Sequence, residues 1–179
     1  TLCGYSVIQI PSDERGLIDP NKLESIMDEE TAAVMLTNPN TLGMFETDIL
    51  KVTQIVHKKG GLVYCDGANL NAIMGKTKVS TMGIDVLHFN LHKTFSTPHG
   101  GGGPGAGPVG VINKLEPFLP KPIIEHSGGQ YTLNHDRHSS IGKMKAFYGN
   151  FGILVRAYTY IRSLGPDGIK KVAEMAVLN

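Results

Sequence analysis

Residues 85–108 read DVLHFNLHKTFSTPHGGGGPGAGP. The opening run, Asp85-Val86-Leu87-His88-Phe89, has the length and the β-branched or aromatic content of a strand. It delivers Asn90, His92 and Lys93 at its carboxyl end, and glycines at 100, 101, 102, 103, 105 and 107 follow. Glycine allows backbone dihedrals closed to other residues and a close approach to a ligand. A lysine among polar donors, followed by such a loop, suggests a Schiff-base site with a phosphate nearby. A plain flexible linker is the competing reading of the glycines.

Outward from this stretch the chain alternates strands and helices. A strand is expected over 5–10, closed by Pro11, and a helix starts at Asp19-Pro20, with Leu23, Ile26 and Met27 at helical spacing. Residues 32–37 form an apolar run, read as a strand covered on both faces, and lead into the loop Asn38-Pro39-Asn40-Thr41-Leu42-Gly43. A helix over 47–59 ends at Gly60-Gly61, and a strand over 62–65 runs into Asp66-Gly67-Ala68-Asn69. Such alternation with short connections means an α/β fold with a mostly parallel sheet. One more strand is expected over 109–112. Prolines at 117, 120 and 122 then mark a change of character. Helices over 147–164 and 168–178, separated by Gly165-Pro166, close the chain; Phe151, Leu154, Val155, Tyr158 and Ile161 are the expected apolar face of the first.

Composition excludes several classes. The 179 residues are 41% apolar and 18% charged, which argues against disorder, and the net charge of +1 offers no case for nucleic acid or an acidic membrane surface. No apolar run approaches the roughly 20 residues of a membrane span. Two cysteines, Cys3 and Cys65, make no disulfide framework and fit a reducing compartment, so the expected location is cytoplasmic. The chain opens without Met and enters an apolar run at once, as an internal fragment would.

Three expected strands end in polar groups: Asn38, then Asp66, then Asn90, His92 and Lys93. In open α/β sheets ligands bind outside the carboxyl ends of the strands, so these five residues are expected to converge. They match the needs of a pyridine cofactor. Asp66 would face the ring nitrogen, Asn38 the phenolic oxygen, Ala68 would pack on a ring face, and Lys93 would form the imine. Asn90, His92 and the glycine loop would supply donors to the phosphate. Against this, Asp66-Gly67 is also a common turn composition, and a lone strand-end lysine is commonly a surface charge. His88, His92 and His99 as metal ligands are disfavoured, because no acidic general base or cysteine pair accompanies them. The glycine loop lacks the Gly-Lys-Ser/Thr end of a nucleotide loop, and no dinucleotide fingerprint joins a first strand to a helix.

The stretches LTNPNTLGMFE (36–46), VYCDGANLNAIMG (63–75), DVLHFNLHKTFSTPHGGGGPGAGPVGV (85–111) and AFYGNFGILVRAYTYIRSLG (146–165) closely resemble the glycine-cleavage P-protein family. These are the pyridoxal-phosphate-dependent glycine decarboxylases, also called glycine dehydrogenases (aminomethyl-transferring). The likeness covers essentially the whole chain, and its wording is closer to subunit 2 of the split form than to the fused form. It implies part of a fold-type-I, aspartate aminotransferase-like large domain over 1–118, then a connection and the beginning of the small domain over 119–179.

By matching position, the resemblance implies that Lys93 holds pyridoxal 5'-phosphate and that Asp66 pairs with the pyridine nitrogen. His92 and Asn90 stand near the phosphate and Asn38 near the phenolic oxygen; Asn90 departs from the serine of the wider superfamily. The implied reaction decarboxylates glycine and transfers the aminomethyl group to the lipoyl group of the H-protein. A companion P-protein subunit 1 and an oligomer are implied with it. The rival readings are another fold-type-I enzyme, such as a cysteine desulfurase or an amino-acid decarboxylase, and a fragment inactive alone.

Overall fold

The computed structural model describes residues 3–179. Its centre is a four-stranded sheet of β1 (Ala33–Thr37), β2 (Leu62–Gly67), β3 (Val86–Phe89) and β4 (Val109–Val111), in the order β1-β2-β3-β4. The first three strands are parallel and β4 is antiparallel to β3, giving the expected mostly parallel α/β arrangement. Thr37 faces Asp66, and Asp66 faces His88, so the carboxyl ends of three strands lie side by side.

Helix α1 (Pro20–Ile26) begins as its sequence dictates. The Asp19 carboxylate accepts the N–H groups of Asn21 and Lys22 at 2.9 and 3.3 Å, and Pro20 fills the first helical position. Helix α2 (Ile49–Lys58) buries Ile49, Val52, Thr53, Ile55 and Val56. The four aliphatic ones pack with Leu23, Met27, Leu36, Val63, Cys65 and Ile84 into the main core. Leu23, Val52, Val56 and Val63 are wholly buried; each such side chain contributes about 1.5–3 kcal/mol of transfer free energy. Gly60, at φ 84°, takes the left-handed turn that ends α2.

Three expectations need correction, and one stretch holds paired strands that no expectation covered. Residues 5–10 form no strand: Tyr5, Val7 and Ile8 are exposed and only Ile10 packs against the core. A strand requires a facing edge, and the described sheet pairs without them. β1 is not covered on both faces, because Leu36 is buried while Ala33 and Met35 are exposed. The proline-rich region contains a hairpin, β5 (Ile123–Ser127) and β6 (Gln130–Asn134), turned by Gly128 and Gly129 at φ 58° and 79°.

The last correction concerns the buried face of α4 (Phe151–Leu178), in which two helical segments meet at Gly165, non-helical at φ 63°, as the expected break at Gly165-Pro166 requires. Its expected apolar face, including Phe151 and Tyr158, is exposed; Ile153 and Ala157 are buried instead. They pack on Leu91, with Phe89, Phe95 and Ala106 around them. The helix has apolar residues on two sides, and the side carrying the small Ala157 permits the closer approach. Beyond the kink Ala173 is buried and Glu174 ion-pairs with Lys76. Among the described residues no helix is long and apolar enough to cross a membrane.

Candidate active site

The site is built from the ends of β2 and β3 and the turn that follows. Alternate residues of a strand share a face, so Tyr64 and Asp66 on β2 lie beside His88 and Asn90 on and after β3. The Asp66 Oδ1 atom is the meeting point. It accepts the N–H of Ala68 at 2.8 Å, and it lies 3.1 Å from His88 Nε2 and 3.4 Å from Asn90 Nδ2. The Asn90 nitrogen is also 2.7 Å from His88 Nε2, and the Tyr64 hydroxyl is 2.7 Å from His88 Nδ1. Every contact of the carboxylate among the described residues falls on Oδ1. Oδ2 is left for another donor.

Gly67 sets the separation of the two strands here. A Cβ at this position would collide with the carbonyl oxygen of His88, so only glycine lets β2 carry Asp66 and Ala68 this close to β3.

Lys93 follows on α3 (Leu91–Thr94), a single turn whose buried Leu91 and Thr94 anchor it and leave His92 and Lys93 exposed. The Lys93 N–H donates to the Asn90 carbonyl at 3.0 Å. The rings of His92 and His99 meet edge to face, with centroids 4.6 Å apart, and His99 Nδ1 accepts the Gly102 N–H at 2.6 Å. Desolvation, then the neighbouring His99 and Lys93, lower the pKa of His92. The connecting segment is unusual: Ser96 has φ 54°, and the buried hydroxyls of Thr94 and Thr97 have no protein partner among the described residues.

Asp66, Ala68 and Asn90 are thus brought into one network, and His92 and Lys93 sit on the turn beside it. Asn38 does not join them by a hydrogen bond among the described residues. It is 4% exposed, its Oδ1 accepts the Glu46 N–H at 2.9 Å, and its Nδ2 lies 4.0 Å from the Met82 sulfur. His88 and Tyr64 are site residues that strand-end reasoning passed over. The signal for them is the two-residue alternation through Asp66 and Asn90, once the register of β2 against β3 is known. Among the described residues no three His, Cys, Asp or Glu side chains gather as metal ligands.

The Aminotransferase class-V family profile matches residues 1–107. The chain belongs to the class-V aminotransferase family. This family is pyridoxal-phosphate-dependent. Over all 179 residues the class-V chain is 59% identical to the probable glycine dehydrogenase (decarboxylating) subunit 2 of Bacillus licheniformis and to that of Bacillus cytotoxicus. It spans 37% and 36% of their lengths. Among solved structures it superposes with TM-score 0.73 on glycine decarboxylase (P-protein) of the glycine cleavage system in inhibitor-bound form. That match has 21% identity over 95% of this chain and 39% of the other. A sphingosine-1-phosphate lyase from Burkholderia pseudomallei superposes with TM-score 0.67 at 16% identity, over 97% of this chain and 39% of the other. These two superpositions establish the fold.

Proposed function

We propose that this class-V chain carries the cofactor lysine and the ring-nitrogen carboxylate of a glycine-decarboxylating subunit 2. The observation that carries the reading is the Asp66 carboxylate, fixed through Oδ1 at the end of β2, one strand from the outward amine of Lys93. The choice of glycine rests on the names of relatives 59% identical along the whole chain.

The residues present fit pyridoxal phosphate. The Asp66 Oδ2 atom, which none of the carboxylate's hydrogen bonds among the described residues uses, is left to hold a proton on a ring nitrogen, and Ala68 offers a small side chain to a ring face. The Lys93 Nζ is the covalent tether and, once released, a carrier for a proton. Asn90, His92 and the amides of the glycine loop supply donors to a phosphate. The Asn38 amide nitrogen, met among the described residues only by a sulfur at 4.0 Å, keeps a donor for the phenolic oxygen. When bound, the cofactor supplies an electron sink for loss of carbon dioxide.

The same reading assigns the lipoylated H-protein as acceptor of the aminomethyl group, and a companion subunit 1 with an oligomeric assembly. It divides the chain near residue 118 between the large domain and the connection to a small one. The free thiols Cys3 and Cys65 fit the cytoplasm. The test is to load the full-length natural protein with pyridoxal phosphate, reduce with borohydride and map the adduct. The expected site is Lys93, and glycine rather than cysteine should perturb the visible absorption. An adduct on another lysine, or a response to cysteine alone, overturns the assignment.

A further inference from the structure

Asp66 and His88 are register partners on parallel strands, with side chains about a quarter exposed, 28% and 23%. Nε2 of His88 stands 3.1 Å from Asp66 Oδ1, and on the far side of the ring Nδ1 stands 2.7 Å from the Tyr64 hydroxyl. Desolvation, and then the charge of Asp66, raise the pKa of Tyr64, so its hydroxyl keeps a proton to donate. The Asn90 amide, 2.7 Å from the same Nε2, ties its own orientation to the tautomer. A bare Nε2 would accept from the amide nitrogen, whereas an Nε2–H would donate to the amide oxygen.

The carboxylate decides between them. A bare Nε2 would set a lone pair against a carboxylate oxygen at 3.1 Å, acceptor against acceptor. An Nε2–H at that distance makes a charge-assisted hydrogen bond, and turning the Asn90 amide to suit it gives up only the longer contact of that amide with Oδ1, at 3.4 Å. With Nε2 protonated, the neutral ring accepts at Nδ1, where the Tyr64 O–H stands.

We propose that His88 is a positioning residue for Asp66: its Nε2–H clamps Oδ1 so that Oδ2 is presented to a ring nitrogen, and Tyr64 selects the tautomer that makes this possible. The proposal rests on the reading of Asp66 given above. It accounts for the 3.1 Å approach of His88 to Oδ1, and it gives Tyr64 and His88 a task that the strand-end residues alone do not show.

The test uses the full-length natural protein. Without cofactor, long-range proton–nitrogen correlation on histidine-labelled protein reads the His88 tautomer, assigned by the signals lost in His88→Gln. The expected result is Nε2–H in the natural protein and a mixture of tautomers in Tyr64→Phe, which removes one oxygen and little packing; an Nδ1–H ring in the natural protein overturns the proposal. With nitrogen-labelled pyridoxal phosphate bound, His88→Leu should move the ring-nitrogen resonance towards its deprotonated position. His88→Gln, whose amide N–H can still reach Asp66, should largely restore it. Asp66→Asn separates the two readings. If it leaves the resonance unchanged, the role of Asp66 falls; if it moves the resonance and His88→Leu does not, only the clamp falls.

Discussion

The side-chain oxygen of Asn38 accepts the backbone N–H of Glu46 at 2.9 Å, so the residue that ends β1 also fastens the loop leading to α2. Both residues are buried, at 4% exposure each. Asn38→Ala leaves that N–H without a partner and without water, a loss of about 1–3 kcal/mol. Denaturant unfolding should show the midpoint falling with an unchanged slope. An unaltered midpoint would mean that the loop holds itself.

Glu46 carries a pH signature. Its Oε2 accepts the Ile18 N–H at 2.9 Å, while the buried Oε1 has no partner among the described residues. Burial pushes its pKa up, the Ile18 hydrogen bond opposes that, and the charges of Asp48 and Asp13 add to the rise. A carboxyl raised on folding favours the folded state below its unfolded pKa, and that contribution is lost as pH rises through the folded value. Glu46→Gln, which keeps an acceptor for Ile18, should therefore be more stable than the natural protein at neutral pH. The advantage should vanish below about pH 4.3, the unfolded glutamate value. Thermal melts across pH measure the difference, and a constant offset would refute the burial cost.

Gly67→Ala should be among the most damaging single-methyl changes in the sheet. The added carbon meets the carbonyl oxygen of His88, a backbone atom that cannot swing aside. The expected cost is about 1–3 kcal/mol or more, accompanied by weaker cofactor retention, since Asp66 and Ala68 flank the displaced residue. Natural stability together with natural retention would show that β2 and β3 can part without consequence.

On the proposed reading, Asp66→Asn in the full-length natural protein should leave pyridoxal phosphate bound through Lys93 but slow glycine–bicarbonate exchange by on the order of 10²–10³-fold, the range seen when one preorganised electrostatic partner is removed. Exchange at the natural rate would reduce Asp66 to a strand-end hydrogen-bonding residue.

Local chemistry made much of this architecture readable. Asp19-Pro20 starts a helix because the cap acts within three residues, and Gly60-Gly61 stops one for the same reason. The placing of Asp66 at the end of β2 and of Lys93 just after β3 was legible because each strand is a short apolar run closed by polar residues. His88 and Tyr64 were not, because their meeting depends on which residue of β2 lies beside which residue of β3, a fact no single strand contains. The hairpin of β5 and β6 had its sign in Gly128-Gly129, but the preceding prolines pointed to a connection rather than to paired strands. The buried face of α4 escaped because both sides of that helix are apolar, and only the shape of the Leu91 neighbourhood chooses between them.

The bend at Gly165 makes α4 a two-point brace rather than a rod. Ahead of it, Ile153 and Ala157 rest on the turn that bears Lys93; after it, Ala173 and Lys170 lie against the chain around Ala72 and Gly75. Each foothold is held in phase by the number of residues between it and the bend. One residue removed from either arm would swing that arm's foothold by about 100° about the arm's own axis, so the spacing within each arm, more than the identity of its exposed side chains, keeps the lysine turn seated.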